Sequence, residues 1–375
     1  MKIVSVMTTQ AYGGAEFAAV EMLDALIDRG HDAVLLTNDA ALVRETKVRA
    51  ARLDLGPKLS TRTWRRLMVQ WVAHTGRMAT ALRRCAPYDV LLVHYKKEQL
   101  MARWLPRRMR STLVWAEWGP LPFPMRRGLP RRMFLSAAKR AEMILAISEG
   151  TKRSLVDVGI PASQIIVVPN AMRTEEILPS EEGRSRVRGE LGIPEDAFCV
   201  GCISRFDHKK RNDVVIDATI ELGRDAHLLM GGAGEREPQL RERAAPLGER
   251  AHWIPTPGGD VGDVLSAMDV LVFCPSPTEG QPRAVILGML TERPCLSTGP
   301  EGVADMIDEG IGEIVAPEND PSALARVLAR YVEDPDLGRR QGVEARRRAL
   351  ERYDAPVVAE RLEELFRRAG DRGHA

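Results

Sequence analysis

Short apolar runs alternate with longer helical patterns along almost the whole chain, and this alternation restricts the possible folds more than any other feature. Apolar runs of about four to eight residues between polar segments are typical of buried β-strands. Strands separated by helices pair in parallel, so the pattern predicts an α/β fold with doubly wound parallel sheets. In the first half, strands are predicted at residues 2–7, 31–37, 89–93, 111–116, 143–147 and 164–168, with helices at 14–29, 62–86, 100–105 and 129–141.

A polar stretch at residues 173–184 interrupts the alternation and indicates a connector. A second series of predicted strands follows at residues 197–203, 227–231, 251–254, 270–274 and 294–298. A chain of 375 residues is longer than one core usually supports, so we expect two Rossmann-like domains, residues 1–172 and 185–355. Two such domains are expected to face each other across a cleft, where the carboxyl ends of the strands accept a ligand of nucleotide size.

Composition favours a cytoplasmic protein. No apolar run approaches the ~20 residues that a membrane span needs, and the apolar segment at residues 1–7 is too short for a signal peptide. The five cysteines are an odd number scattered mostly through apolar runs, which suits a reducing compartment. Cys199 and Cys202 form a C-x-x-C pair, but positions three apart in a strand face opposite sides, which argues against a metal or redox site.

Charge is unevenly distributed, although the net charge is only +2. Residues 61–140 contain 18 Lys and Arg against 3 Asp and Glu. One interpretation is a solvated basic face. The other is an anionic partner, namely a membrane surface, a lipid-linked phosphate or an acidic glycan. No recognised nucleic-acid motif accompanies the arginines, so nucleic acid is not the expected partner.

Residues 277–290 carry the most specific site prediction. They follow the predicted strand at 270–274 and pass through a Pro/Gly turn into a helix with Pro282 near its first position. This arrangement brings free backbone N–H groups and the positive end of the helix dipole beside the acidic Glu279, at the carboxyl edge of a sheet. Sites of this kind bind anions and sugar hydroxyls.

Three other turns follow predicted strands. Gly13 and Gly14, in the loop at residues 11–16, allow close approach of the backbone to a bulky anion, although glycines often serve only as a tight turn. The turn at residues 204–212 is rich in cations and suits an anionic ligand such as a phosphate group, with a solvated loop as the alternative. The turn around Gly232 lacks the full glycine spacing of a dinucleotide site.

With these turns in this order, the chain resembles glycosyltransferase family 4, the retaining transferases of GT-B architecture that use a nucleotide-sugar donor. The resemblance covers nearly the whole length and is densest over residues 197–310. It implies a UDP- or GDP-sugar as co-substrate, no cofactor and no metal. It also implies that the last helix, at residues 356–370, returns to the first domain.

The resemblance also assigns roles to individual residues. Arg205 and Lys210 match the family's Arg and Lys that stabilise the diphosphate, and Glu279 matches the carboxylate that orients the donor sugar. The neighbouring N–H groups would lie near the sugar and phosphate. The implied donor-binding residues are Gly13, Gly14, Gly232, Gly280, Gln281, Pro282, Arg283 and the position of Leu287.

The chain departs from the family pattern at two places. The family has a second glutamate eight positions after the first, where it holds the ribose, and this chain has Leu287. Many relatives have a histidine near the strand at 111–116 that contacts the donor sugar, and here the aligned position is Glu117 or Trp118. Glu117 either neutralises nearby arginines or faces the substrate. His94 and Glu16 are further candidates for acceptor or sugar contact, with a structural role as the alternative for His94.

The function predicted from the sequence is transfer of a sugar to a glycan, lipid-linked or small-molecule acceptor. A nucleotide-sugar binder or partner subunit without turnover is the main alternative, because leucine cannot replace the second carboxylate. A Rossmann oxidoreductase is the third hypothesis. The string Asp334-Pro335-Asp336 matches the metal-binding motif of other transferases, but its position between two helices predicts a turn or helix cap instead.

Overall fold

The computed structural model describes residues 1–9, 13–39, 46–59, 63–109, 111–223, 225–255, 260–276, 279–299 and 301–373. The chain folds into two compact units. The first unit contains Met1–Met172 and Asp354–Ala375, and the second contains Arg173–Tyr353. Each unit is a parallel β-sheet with helices on both faces, as the alternation of strands and helices predicts.

The sheet of the first unit has seven parallel strands in the order β3-β2-β1-β4-β5-β6-β7. The central strands are apolar along their length because helices cover both of their faces. Its strands are β1 (Lys2–Val6), β2 (Asp32–Thr37), β3 (Arg49–Arg52), β4 (Val90–Val93), β5 (Thr112–Glu117), β6 (Met143–Ala146) and β7 (Ile165–Val167). Its helices before the second unit are α1 (Gly14–Asp28), α2 (Trp64–Val69), α3 (Trp71–Cys85), α4 (Lys96–Ala102), α5 (Gly128–Ala138) and α6 (Glu149–Val156).

The sheet of the second unit has six parallel strands in the order β10-β9-β8-β11-β12-β13. The strands are β8 (Cys199–Ile203), β9 (His227–Gly231), β10 (Ala251–Ile254), β11 (Val270–Phe273), β12 (Cys295–Thr298) and β13 (Gly312–Val315). The helices are α7 (Glu181–Leu191), α8 (Asn212–Leu222), α9 (Glu237–Arg243), α10 (Val261–Ser266), α11 (Arg283–Leu290), α12 (Glu301–Ala304), α13 (Pro321–Glu333) and α14 (Pro335–Tyr353). The strand order reverses between β8 and β11, which makes this the topological switch point of the sheet.

The structure differs from the predicted elements in several places. The helix predicted at 100–105 lies earlier, at Lys96–Ala102. The stretch at 173–184 contains a 3-10 helix at Thr174–Glu176 and the start of α7, whose first turn is capped by Ser180, rather than an irregular connector throughout. The predicted helix at 62–86 is divided into α2 and α3. The edge strands β3 and β13 were not predicted; all four side chains of β3 are exposed, so it lacks the apolar pattern that reveals buried strands.

The last helix, α15 (Ala355–Gly373), belongs to the first unit. It packs against α1, and its buried side chains join the same core. The chain enters it directly after an isolated parallel bridge between Met172 and Asp354. No helix among the described residues is both long and apolar enough to cross a membrane.

Candidate active site

In the second unit, the turns that follow β8 and β9 are joined through their backbones. Ser204 N–H donates to Gly231 O at 3.0 Å and Phe206 N–H donates to Ala233 O at 2.9 Å. A Cβ atom on Gly232 would lie 1.9 Å from Ser204 O. Glycine is therefore required at position 232 for the close approach of the two turns. A contact of Gly232 with a donor stays a prediction.

The turn after β11 lies beside the turn after β8, and together they form the candidate site. Lys210 and Glu279, which are far apart in sequence, form an ion pair in which Nζ lies 3.0 Å from Oε1 and 2.9 Å from Oε2. Both side chains are largely shielded from solvent, with exposed fractions of 13% and 23%. Lys210 Nζ also lies 5.0 Å from the ring centroid of Phe273, the last residue of β11. A backbone hydrogen bond of 2.7 Å from Ser276 to Lys209 holds the two turns together.

Arg205 lies on the same turn as Lys210 but has a different environment. Its guanidinium pairs with Asp207 at 3.0 Å, and 66% of its side chain is exposed. The buried Asn212 holds its backbone, because Nδ2 donates to Arg205 O at 3.3 Å and Oδ1 accepts from Ser204 at 2.8 Å. The structure thus pairs Glu279 with Lys210, whereas the exposed Arg205 side chain pairs with Asp207. Asn212 was missed from the sequence, although it follows the cationic run directly.

The acidic turn leads into α11. Pro277 and Thr278 lie outside the described residues, and Pro282 immediately precedes the first helical residue, Arg283. No side chain caps this helix start. The backbone of residues 279–280 packs against α12, since a Cβ on Gly302 would lie 2.0 Å from Gly280 O. Gln281 is buried and Leu287 is half-buried one helical turn beyond Arg283, so the second carboxylate of the family pattern is replaced by an apolar side chain.

In the first unit, the loop after β1 leads to the buried Glu16. Ala11 and Tyr12 lie outside the described residues, Gly13 precedes α1 in an extended conformation, and Gly14 is its first residue. Glu16 Oε1 accepts from Thr9 Oγ1 at 3.1 Å and from the hydroxyl of Tyr95. Burial and the adjacent carboxylate raise the pKa of Tyr95, so this hydroxyl stays a donor.

His94 lies at the carboxyl end of β4 and is almost fully buried. Its Nδ1 accepts from the indole N–H of Trp118 at 3.1 Å, and its Nε2 lies 2.7 Å from Ser5 Oγ. Because Nδ1 is an acceptor, the proton of the neutral ring lies on Nε2 and is donated to Ser5. Burial lowers the pKa of His94 to about 3. The imidazole is therefore neutral and orients the half-buried Trp118.

Glu117, the last residue of β5, is also buried. Its carboxylate accepts from Lys96 Nζ and, at 3.0 Å, from Gln99 Nε2. Burial lowers the pKa of Lys96, and the adjacent Glu117 opposes this shift. The charge partner of Glu117 is therefore Lys96, not one of the arginines considered in the sequence analysis. Lys96 Nζ lies 4.8 Å from the ring centroid of Phe134, which completes a shielded polar cluster.

The start of α4 contains further buried polar residues that the sequence analysis missed. Glu98 accepts from Thr8 N–H at 3.1 Å and from Thr8 Oγ1 at 2.5 Å, and Lys97 donates to Gly56 O at 2.6 Å. Burial raises the pKa of Glu98 and lowers that of Lys97. Lys-Lys-Glu-Gln normally indicates an exposed helical turn. The sequence signal that could have identified this segment is its position directly after β4, at the edge of a parallel sheet where ligands bind.

Within the described part of the chain, no group of three or more His, Cys, Asp and Glu side chains is arranged to hold a metal ion. Asp334 caps α14, with its Oδ1 accepting from Leu337 N–H at 3.1 Å. Cys199 and Cys202 are free thiols, and burial raises the pKa of each to about 12. Unreactive buried thiols of this kind are core residues.

Two parallel-sheet units with a site at a switch point are the arrangement expected of a class of proteins, the GT-B glycosyltransferases. Comparison with family models agrees with this class. Residues 12–176 match the model described as Glycosyltransferase Family 4, and residues 197–334 match the model described as Glycosyl transferases group 1. The chain belongs to the glycosyltransferases of family 4 and group 1, which adopt the GT-B fold.

Individual proteins are similar over parts of the sequence or in fold. The chain is 25% identical over 181 residues to the alpha-D-kanosaminyltransferase of Streptomyces kanamyceticus and 28% identical over 171 residues to the putative glycosyltransferase EpsD of Bacillus subtilis. These matches span 45% and 44% of the chain and the same shares of the relatives, less than half of their length. The crystal structure of Anabaena HepE in complex with UDP has a TM-score of 0.84 at 18% identity, covering 97% of this chain and 99% of HepE.

Proposed function

We propose that the protein transfers a sugar from a nucleotide-sugar donor to a glycan, lipid-linked or small-molecule acceptor, with retention of configuration and without a metal. It is proposed to act in the cytoplasm. A uridine nucleotide is the first donor to test, because the solved complexes of similar fold include HepE with UDP and with UDP-glucose. A GDP-sugar is the alternative donor.

The observation that carries this proposal is the Lys210–Glu279 pair at the switch point of the second unit. The carboxylate of Glu279 and the ammonium of Lys210 neutralise each other at 2.9 Å. A nucleotide-sugar offers both groups better partners. Its sugar hydroxyls donate to Glu279, while its diphosphate accepts from Lys210. Each charge-assisted hydrogen bond of this kind contributes about 1.5–3 kcal/mol.

The chemical step follows from these partners. The bond between the anomeric carbon and the diphosphate oxygen breaks, and the acceptor hydroxyl attacks from the face that the diphosphate leaves. The hydroxyl proton passes to the departing phosphate oxygen, so no protein base is required. Negative charge that develops on the diphosphate is stabilised by Lys210 and by the exposed Arg205, which can turn from Asp207 towards it.

We assign the acceptor to the first unit. Glu16 already accepts hydrogen bonds from two hydroxyl groups, of Thr9 and Tyr95, which is the chemistry that a sugar or polyol acceptor would present. Trp118, oriented by His94, is half-buried and supplies an apolar ring surface for a sugar. Gly13, Gly14 and the N–H groups of residues 280–283 remain predicted donor contacts.

Release of nucleotide diphosphate and transfer to added acceptors test the proposal. Glu279→Gln and Lys210→Ala are each expected to reduce the transfer rate by about 100-fold or more, since each removes a charged partner of the donor. Arg205→Ala is expected to lower it by about tenfold or more. The matched control is Lys209→Ala, which removes an adjacent exposed cation and should leave the rate within about twofold.

Equal loss of activity in Lys209→Ala and Lys210→Ala, or unchanged activity in Glu279→Gln, would contradict the assigned roles. A separate thermal-shift screen over UDP- and GDP-sugars identifies the donor, because a ligand that binds the folded protein raises its Tm.

The second candidate function is binding of a nucleotide-sugar without turnover. Leu287 favours it, because an apolar side chain cannot accept hydrogen bonds from the ribose hydroxyls. A stoichiometric complex with a nucleotide-sugar, from which no nucleotide diphosphate is released in the presence of a broad set of acceptors, would support this function over transfer.

A further inference from the structure

One face of the sheet in the first unit is covered by a continuous helical layer, hereafter the α2–α5 layer. It consists of α2, α3, α4 and α5, the turn at residues 103–106 that follows α4, and the 3-10 helices Arg107–Met109 and Phe123–Met125. Consecutive members pack against one another, and the inner side chains of α3, α4 and α5 belong to one core cluster. The outer side of this layer is therefore a single surface of the first unit.

Large apolar side chains are exposed along this layer. Trp64, Trp104 and Phe123 are 48%, 66% and 67% exposed, and Val69 and Val72 are 87% and 85% exposed. Of the exposed large apolar residues in the described part of the first unit, most belong to this layer. Isolated exposed apolar residues are common, but a group on one surface indicates a binding site for an apolar partner.

Each of the three exposed aromatic rings of this layer lies beside an arginine. Arg65 lies 5.5 Å from the ring centroid of Trp64, and Arg103 lies 5.7 Å from that of Trp104. Arg127 lies 5.5 Å from the ring centroid of Phe123. Three such pairs on one surface combine a ring that enters the boundary of a bilayer with a cation that contacts lipid phosphates.

These arginines have no acidic partners. Among the described residues, Arg65, Arg66, Arg107, Arg127 and Arg132 form no ion pair. Arginines on α14 provide a contrast, since Arg347 on that helix pairs with Glu344 and Glu351. The arginines of the layer therefore present uncompensated positive charge.

The three acidic residues between positions 61 and 140 do not reduce this charge. Glu98 and Glu117 are buried and bonded inside the unit. Asp89 precedes β4 and accepts from the backbone N–H of Lys2, at the amino-terminal edge of the sheet. The sequence left open whether the basic segment is a solvated face or binds an anionic partner. The exposed rings favour a binding surface.

We propose that the outer surface of the α2–α5 layer docks on a bilayer that contains anionic lipids. Exposed arginines would contact the lipid phosphates, while Trp64, Trp104, Phe123 and the neighbouring valines enter the headgroup boundary. A soluble polyanion would use the charges but leave the apolar side chains in water, so the bilayer is the occupant that the surface fits better. This inference does not depend on the proposed transfer reaction, because docking needs no donor or acceptor.

Sedimentation with vesicles tests the proposal on the full chain. Vesicles of phosphatidylcholine with phosphatidylglycerol are expected to bind the protein at least about tenfold more tightly than phosphatidylcholine alone, and added salt should weaken binding. The variant Arg65→Glu/Arg127→Glu should bind at least about 25-fold more weakly, because each cation near an anionic surface contributes about fivefold. The variant Trp64→Ser/Trp104→Ser/Phe123→Ser should lose about tenfold or more without losing its preference for the anionic vesicles.

Matched controls change the same chemistry elsewhere. Val343→Ser/Leu350→Ser removes exposed apolar side chains from α14, and Arg347→Glu/Arg368→Glu reverses paired exposed arginines; both should bind like the wild type. All the changed side chains are at least partly exposed, and thermal unfolding checks that each variant remains folded. Equal binding to neutral and anionic vesicles, or wild-type binding by the arginine variant, would overturn the proposal. Binding to soluble dextran sulfate without binding to vesicles would overturn it in favour of a soluble polyanion.

Discussion

At the residue scale, His94 shows how a predicted contact residue can be held by its own domain. Both imidazole nitrogens already have partners, Ser5 and Trp118, and the ring is shielded from water. A neutral imidazole with both nitrogens occupied is a poor acid or base until one of these hydrogen bonds breaks. Its effect on a substrate is therefore expected to act through the orientation of Trp118.

The burial of His94 makes the stability of the first unit depend on pH. Its folded pKa of about 3 lies below the ordinary value of 6.5, so the folded state holds the neutral form. The resulting stability is present above pH 6.5 and is lost as the pH falls towards 3, by up to about 1.4 kcal/mol per pH unit. Urea unfolding followed by tryptophan fluorescence should show a smaller loss between pH 6.5 and pH 4 in His94→Gln than in the wild type.

The matched control is His208→Gln, which removes an exposed histidine from the second unit and should leave the pH dependence of unfolding unchanged. The same slope in His94→Gln and in the wild type would show that this imidazole is not the responsible group. Burial also lowers the pKa values of His31 and His74 in the first unit and of His227 and His252 in the second, and these histidines contribute to the slope that remains.

At the element scale, the position of Glu279 depends on the packing of α12 against its backbone. A Cβ on Gly302 would lie 2.0 Å from Gly280 O and 2.3 Å from Glu279 O, so α12 must move away if any side chain is added. Gly302→Ala is expected to lower the free energy of unfolding by about 1–3 kcal/mol and to weaken donor binding. Chemical denaturation and the thermal shift with a nucleotide-sugar measure the two effects.

Gly189 provides the control for this substitution. It lies inside α7, and no atom lies within 4 Å of the Cβ that alanine would add. Gly189→Ala should be neutral or stabilising by up to about 1 kcal/mol, because alanine favours the helix. A similar cost at positions 189 and 302 would contradict the packing argument.

Sequence patterns predicted the central elements and missed those without an apolar pattern. Strands such as β4 and β11 are apolar throughout because helices cover both faces, and such runs are recognisable in a sequence. The exposed strand β3 pairs in parallel with β2, but its side chains lack the apolar pattern that would reveal a strand in the sequence. The start of α7 was missed for a similar reason, since its first turn is almost entirely polar.

The candidate site likewise combines features that the sequence predicted with features that it could not. Resemblance to a family predicted that Lys210 and Glu279 both contact the donor, but not that they pair with each other at 2.9 Å across 69 positions of the chain. The burial of Lys96 by Glu117 and Phe134 was also not predictable, because it depends on which side chains three separate elements bring together. Periodicity identifies which face of an element is covered. It carries no information about specific polar pairs.

At the scale of the whole molecule, the last helix supplies part of the core of the first unit. Phe366 and Leu362 of α15 are buried in the cluster that also contains residues of α1 and β1. Phe366→Ala is expected to destabilise the first unit by about 3–5 kcal/mol through the lost contacts and the cavity that remains. Hydrogen exchange measured by mass spectrometry should show faster exchange in α1 and β1 and unchanged exchange in β8 and β11.

Val357→Ala on the same helix is the control, since Val357 is exposed and its loss should change stability by no more than about 0.5 kcal/mol. Faster exchange in both units after Phe366→Ala would show that the units unfold together, contrary to this expectation.

The return of α15 has a consequence for biosynthesis. A ribosome produces β1 to β7 first, then all of residues 173–353, and α15 only afterwards. Until α15 arrives, the apolar side chains of α1 and β1 that it buries lack their cover, whereas all of the second unit, Arg173–Tyr353, has already been made. We therefore expect the domain that begins translation to be the last to mature, and nascent chains that stall before residue 355 to require a chaperone.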